Sequence, residues 1–271
     1  MVTEGPRPPD GDWLGTPYLR FERDGSLAIV TVDRPQARNA MTPAMYFGVR
    51  YAIDRVNADP DLVGLMLTGT GDFFIPGGDL AGGGDDDWGF PKLLGMDMAP
   101  YEAFRTSPKP IVCAVNGVAQ GGGMMLAMLA DVTVASDRAT FRVPELFRGI
   151  ADTNFAEVLP RQVGPARARD LLLTGRTIMG AEAVDWGLVA RVAPHDTFLA
   201  EARDVLAWCA RAAPEARRAV KRVVELQYGR YDRMSMEASF TADEMAEGYA
   251  AFKERRNPSW VPDDLDTGGR L

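Results

Sequence analysis

Histidine is almost missing from this chain, with His195 the only one in 271 residues. It stands beside Pro194 at an expected helix start, and no Ser or Cys nucleophile is arranged with it along the sequence. A His-based triad is therefore not expected, and without a His/Cys cluster neither is a metal site. Cysteine is scarce as well: Cys113 and Cys209 both lie in apolar contexts. Two buried thiols in a chain of this length suit a reducing cytoplasm rather than a disulfide scaffold. Long apolar runs are absent too. No stretch approaches the ~18–20 residues of a membrane helix, and the first ten residues hold no apolar core of a signal peptide. Clusters of Lys and Arg are also missing. The 30 basic residues are outnumbered by 38 acidic ones, for a net charge of −8. This disfavours nucleic acid and anionic membranes, although a local basic patch could still hold an anionic cofactor. No repeat of fixed period is visible. A soluble, cytoplasmic protein is the expectation.

What is present is ordinary globular material, 46% hydrophobic and 25% charged, enough to bury a sizeable core. Residues 1–16 are rich in Pro, Gly and Asp and read as a flexible arm. Strands are expected at 18–23 and 27–32, with Gly25 at the turn between them. Thr42-Pro43 starts a helix, as N-cap and first-turn proline. Its residues Met45, Val49, Ile53 and Val56 recur at spacings of three and four and mark a buried face. Short apolar strands follow at 63–67, 111–115 and 132–135. Residues 69–95 read as loop, and a glycine run at 121–123 precedes an apolar helix at 124–129. From about residue 154 the chain reads as mainly helical, interrupted near 188–192. The last helix, 241–256, carries a Thr241-x-x-Glu244 capping box and a Phe240/Met245 staple. The ordering is mixed α/β, with strand–strand–helix units early and helices late.

Three segments concentrate the chemistry. They are Phe73-Phe74-Ile75-Pro76-Gly77-Gly78-Asp79-Leu80, Ala114-Val115-Asn116-Gly117-Val118-Ala119-Gln120-Gly121-Gly122-Gly123, and Phe141-Arg142-Val143-Pro144-Glu145-Leu146-Phe147-Arg148-Gly149. A glycine lets a backbone N–H come close to a ligand. Glycines at a helix start also expose unpaired N–H groups at the positive end of the helix dipole. Two such groups from separate loops could share one carbonyl oxygen and stabilise the charge that develops there. Turns and tight helix packing use the same glycines, so one run alone does not decide. Phosphate binding is disfavoured: no Lys-Ser/Thr follows Gly123, and Gly69-Thr70-Gly71 lacks the third glycine of a dinucleotide fingerprint.

Taken together, the segments resemble the enoyl-CoA hydratase/isomerase (crotonase) family. Asp33-Arg34-Pro35-Gln36-Ala37-Arg38-Asn39-Ala40-Met41 resembles its Arg-Pro-x-x-x-Asn-Ala-Leu signature. Residues Pro76 to Leu80 look like its Ala-Gly-Ala-Asp-Leu loop, and 114–123 its Ala-Val-Asn-Gly-x-Ala-x-Gly-Gly-Gly segment. Leu173-Thr174-Gly175-Arg176 and 181–192 look like its Leu-Thr-Gly to Gly-Leu-Val stretch. The match runs in order over about 18–260. The resemblance implies the ClpP/crotonase-like α/β spiral of ββα units with a C-terminal helical trimerisation region. The domains would be an arm at 1–16, a spiral core at 17–205 and a helical region at 206–271. It further implies an acyl-CoA substrate, with coenzyme A arriving as part of the thioester and no permanently bound cofactor. A homotrimer or a hexamer built as a dimer of trimers follows in the same way. The capped last helix, with Tyr249, Phe252 and Trp260 on and beyond it, suggests surface covered by a partner.

Residue by residue, the resemblance makes the N–H groups of Gly78 and Gly122 the oxyanion donors. Ala37, Arg38, Ala40, Gly77, Asp79 and Leu80 become cofactor contacts. Arg38 is either a phosphate partner or a solvated charge. Hydratases of the family carry two glutamates. This chain keeps one as Glu145, either catalytic or a surface charge, and has Met125 at the other position. A thioether moves no proton, and Met125 also suits an apolar core. Asp152 matches an aspartate of family dienoyl-CoA isomerases, or caps the helix that follows. Glu157 reads as a helix-surface charge, and Asp85-Asp86-Asp87 as a solvated lid rather than a metal site. The implied activity is double-bond isomerisation or atypical hydration of an acyl-CoA through an enolate, in fatty-acid or related catabolism. The alternatives are a non-catalytic acyl-CoA-binding paralogue, or a hydrolase, dehalogenase or ring-cleaving relative.

Overall fold

A computed structural model describes residues 13–79, 100–225, 243–256 and 258–259. Contacts divide the chain into two compact units, 1–142 with 177–229, and 143–176 with 230–271.

The first unit holds both sheets. It opens with a hairpin of β1 (Leu19–Asp24) and β2 (Leu27–Val32), turned at Gly25, whose φ of +61° favours glycine. Thr42 then caps α1 (Pro43–Ala58): its hydroxyl accepts from the Met45 N–H at 3.3 Å. Met45, Val49, Ile53 and Val56 are buried, as their spacing predicts. Three strand pairs follow: β3 (Gly64–Gly69) with β4 (Phe73–Ile75), β5 (Ile111–Val115) with β6 (Val118–Gln120), and β7 (Val132–Ser136) with β8 (Thr140–Arg142). The first member of each pair enters a six-stranded sheet, and the second enters a four-stranded one. With β9 (Ile178–Met179) and β10 (Arg191–Ala193), the orders are β1-β2-β3-β5-β7-β10 and β4-β6-β8-β9. Each repeat thus lays one strand on each sheet, in parallel with the one before.

Parallel strands covered on both faces read as continuous apolar runs, and every residue of β5 is buried. One covering element is α7 (Phe198–Arg211). Its Phe198, Ala202, Val205 and Leu206 pack on Leu27, Met66, Val112 and Val134. Two buried asparagines lock the corners. Asn39 donates to the carbonyls of Thr70 (3.0 Å) and Phe73 (2.6 Å). Asn116 donates to those of Gly71 (2.5 Å) and Phe73 (3.2 Å) and accepts from the Gly69 N–H at 3.2 Å. Both hold the turn between β3 and β4 by engaging main-chain groups there.

The remaining helices of the first unit are α2 (Tyr101–Thr106), α3 (Gly122–Leu129), α6 (Gly180–Asp185) and α8 (Pro214–Glu225). The second unit contains α4 (Thr153–Val163), α5 (Pro165–Thr174) and α9 (Asp243–Glu254), with a 3-10 turn at Glu145–Arg148. The strands at 73–75, 118–120, 140–142 and 178–179 sharpen the sequence reading. The first of them replaces part of the loop expected over 69–95. Thr241, Phe240 and Trp260, invoked for the last helix, lie outside the described residues, as do the arm 1–12 and Asp85–Asp87. No described helix is long and apolar enough to cross a membrane.

Candidate active site

β4 and β6 are parallel neighbours, so the loops that follow them leave the same edge of the four-stranded sheet. In the first loop, Gly77 adopts φ +112°, which a side chain would strain. An isolated parallel bridge pairs Gly78 with Met41. The Met41 N–H donates to the Gly77 carbonyl (2.9 Å) and the Asp79 N–H donates to the Met41 carbonyl (2.8 Å). In a parallel pairing of this kind the residue between the two bonds directs its own N–H away from the partner strand. The Gly78 N–H accordingly has no backbone acceptor among the described residues.

The second loop ends in the N-terminus of α3. Gly121 takes φ +49°, donates to the Arg142 carbonyl (3.2 Å) and accepts the first helical bond from Met125 (3.0 Å). Gly122 is the first helical residue, and its N–H is one of those a helix cannot pair internally. A Cβ on Gly123 would stand 2.1 Å from the Ile75 carbonyl oxygen, so α3 begins directly against the end of β4. On the other side, a Cβ on Gly77 would lie 3.6 Å from the Gln120 carbonyl oxygen. Two adjacent loops therefore each present a glycine N–H with no main-chain acceptor among the described residues, one of them at the positive end of a helix.

An ion pair anchors the first loop. Arg34 Nη1 donates to Asp79 Oδ2 (2.7 Å) and to the Ala40 carbonyl (3.0 Å), and its guanidinium lies over the Tyr18 ring at 5.1 Å. Both side chains are almost buried, at 7% and 11% exposure. The Arg34 N–H also donates to Asn39 Oδ1 at 2.9 Å. Asp79, expected as a cofactor contact, thus has its carboxylate engaged by Arg34. Ala37 ends a 3-10 turn, and the exposed Arg38 follows with φ 54°. Its guanidinium lies 5.8 Å from the Phe73 ring centre and is open to an anion. Leu80 lies outside the described residues. Sequence reasoning missed Arg34 and Asn39 as loop anchors, although both stood inside the quoted motif.

The carboxylates stand in the second unit. Glu145, 9% exposed, opens the 3-10 turn that Gly149 closes at φ +70°. Helix α9 crosses this turn at contact distance. A Cβ on Gly248 would meet Arg148 backbone at 2.6 Å, and one on Gly149 would meet Glu244 backbone at 2.4 Å. Arg148 also covers the Phe252 ring at 5.1 Å. Asp152 is the N-cap of α4, its Oδ1 accepting from Asn154 N (3.0 Å) and Phe155 N (3.4 Å). The residue keeps some exposure, but protein surrounds the carboxyl group. That desolvation outweighs the capping bonds and lifts its pKa to about 6.

A family model described as enoyl-CoA hydratase/isomerase matches residues 22–263. The chain belongs to the enoyl-CoA hydratase/isomerase family. It is 36% identical over 257 residues to a probable enoyl-CoA hydratase of Mycobacterium bovis, covering 90% of this chain and 97% of that one. It is 34% identical to a carnitinyl-CoA dehydratase of Salmonella arizonae, covering 89% and 97%. An enoyl-CoA hydratase/isomerase structure from Pseudoalteromonas atlantica superposes with a TM-score of 0.79 at 29% identity, covering 90% and 100%. The fold is the crotonase fold, and the protein is a crotonase-family acyl-CoA enzyme.

Other residues singled out in the sequence take the following places. Met125 is 2% exposed inside apolar α3. Glu157 pairs with Arg161 one turn along α4, as a surface charge would. The reading of His195 needs correction, because the fold does bring a serine to it: Ser136 Oγ lies 2.9 Å from Nδ1. That serine is fully buried and also accepts from the Arg138 N–H (3.1 Å). It therefore ties the end of β7 to the start of α7 and is closed to a substrate. Cys113 is buried, and its thiol pKa is pushed upward by desolvation, whereas Cys209 is only partly covered.

Proposed function

We propose that this family member moves a double bond in an acyl-CoA, or hydrates one by an atypical route, with Glu145 as the working base. The observation that carries the reading is the pair of glycine N–H groups at Gly78 and Gly122. Among the described residues each lacks a main-chain acceptor, and the two lie on adjacent loops of a crotonase fold. These donors hold the thioester oxygen. Glu145 takes a proton from a carbon conjugated to the carbonyl, the electron pair moves onto the oxygen, and the enolate is held by the two N–H groups. Return of the proton to a different carbon relocates the double bond. Asp152, with its pKa near 6, is suited to exchange a proton at neutral pH. Arg38 takes a coenzyme A phosphate, with Ala37, Ala40 and Gly77 along the same cofactor. The lean away from ordinary hydration rests on Met125, because a buried thioether cannot share the activation of water.

The test is an assay of the purified chain against enoyl-, dienoyl- and aromatic-CoA thioesters, alongside Glu145→Gln and Met125→Glu. Glu145→Gln should lower isomerisation or α-proton exchange by about 10²–10⁴-fold, with thioester affinity nearly intact because the amide keeps the shape. Met125→Glu should raise hydration of a simple enoyl-CoA. Fast hydration by the unaltered protein, retained in Glu145→Gln, would refute both the isomerase lean and the role of Glu145. Tight binding with no turnover of any thioester would mark a non-catalytic paralogue. Release of free coenzyme A, loss of halide or ring opening would mark one of the other family chemistries.

A further inference from the structure

Two tyrosines that the reading above does not use meet at Gly122. Tyr46 projects from α1 and Tyr101 from α2, with ring centres 6.4 Å apart in an edge-to-face arrangement. The place where a Cβ would stand on Gly122 lies 2.3 Å from the Tyr46 hydroxyl oxygen and 2.9 Å from that of Tyr101. A Cβ at 122 would make the Tyr46 hydroxyl move aside, so here the close neighbour is a side-chain oxygen and not the main chain. The adjacent glycines have other reasons: Gly121 needs its positive φ, and Gly123 needs room beside the Ile75 carbonyl. Tyr46 is 3% exposed.

The direction of these hydroxyls follows from helix geometry. In a helix the Cα–Cβ bond tilts toward the N-terminus, and the first N–H groups point the same way, beyond the end. A hydroxyl 2.3 Å from the empty Cβ position of Gly122 therefore lies at the same end of α3 as the Gly122 N–H. We propose that the Tyr46 hydroxyl is a third hydrogen-bond donor to the thioester oxygen, with Tyr101 beside it to fix its orientation. This inference rests on the oxyanion reading of Gly78 and Gly122. A phenolic O–H strengthens its bond as negative charge builds on the acceptor. It would therefore favour the enolate over the ground-state thioester, which is the difference that accelerates a reaction. Helices α1 and α2 would then act on the chemistry as well as on packing.

The experiment uses the full chain and an aryl-acryloyl thioester of coenzyme A, whose conjugated absorption moves to the red as its carbonyl is polarised. Bound to the unaltered protein, it should show a clear red shift. Tyr46→Phe should remove a substantial part of that shift. It should also slow α-proton exchange of a saturated acyl-CoA in D2O by about 10–100-fold, since one donor of such a site contributes up to ~10²–10³. Affinity for the thioester should change less than about threefold. Tyr101→Phe should have a smaller effect in the same direction. Fluorotyrosine placed at 46 keeps the ring and makes the hydroxyl a stronger donor. It should deepen the red shift, which a purely structural hydroxyl would not do, and it stands in if Tyr46→Phe folds poorly. A full red shift retained in Tyr46→Phe, or one indifferent to fluorination, overturns this inference and leaves the oxyanion reading standing. No red shift in the unaltered protein overturns both.

Discussion

Asp152 caps a helix with a carboxyl group whose ionisation is displaced toward neutral pH. The cap is plain in the geometry, with both bonds going to the first turn of α4. The ionised form is nonetheless disfavoured, because desolvation outweighs those bonds. The sign of the linkage follows. Below pH ~3 the group is protonated folded and unfolded alike and causes no loss. As pH rises from there through about 6, the unfolded chain ionises first and stability is lost. Asn caps about as well as Asp and brings no charge. Asp152→Asn should therefore leave stability at pH ~3 unchanged and raise it at pH ~8 by on the order of 1–3 kcal/mol. Urea unfolding at the two pH values checks this, and an equal offset at both would contradict it. Loss of turnover in the same stabilised variant would identify Asp152 as a functional group held at a cost in stability. The sequence offered both roles for this residue without choosing, because Asp before a helix reads as a cap whatever surrounds it. Arg34 and Asn39 were missed for a related reason. Their partners, Asp79 at 45 residues' remove and the 70–73 turn, become neighbours only in the folded chain.

At the scale of elements, the long signals were legible and the short ones were not. The buried face of α1 and the strands Leu27–Val32 and Ile111–Val115 stand where their patterns place them, because periodicity needs several residues to show. β4, β6, β8 and β9 have two or three residues each, too few for any period. Yet β4 and β6 are the strands that aim the two glycine loops. What specifies them is the close approach of backbone at their ends. Gly123 is the clearest case, since a Cβ there would stand 2.1 Å from a main-chain oxygen that cannot rotate away. Gly123→Ala should destabilise the chain by about 3 kcal/mol or more, at the upper end of overpacking, and displace the start of α3. Gly25→Asn is the control, at a left-handed turn with nothing within 4 Å, and should cost under about 1 kcal/mol. Urea unfolding separates the two, and similar losses in both would argue against close approach as the reason for Gly123.

For the whole molecule, the exposed apolar surface bears on assembly. The sequence pointed to the helix at 241–256 as a partner-covered surface. In the structure α9 has Gly248 and Ala251 buried and packs on the turn at Glu145–Arg148, while Phe252 lies under Arg148. A run of exposed valines lies on α8. Two of this helix's charges pair within its own unit. Lys221 reaches Asp131 at 2.6 Å, and Arg105 of α2 reaches Glu225 at 3.1 Å. Val220 and Val223 are 64% and 62% exposed, and Trp208 on α7 is 67% exposed. Valines three apart on one helix share a face, and large exposed apolar side chains of this kind suit a protein contact. We propose that a second copy of this chain covers it, in a trimer or a multiple of three. Light scattering at micromolar concentration should give that mass for the unaltered protein. A Val220→Glu/Val223→Glu variant, which leaves the Lys221–Asp131 and Arg105–Glu225 pairs in place, should be smaller and should keep its helical circular dichroism. A monomeric unaltered protein would remove the assembly, and an unchanged mass in the variant would move the interface away from α8.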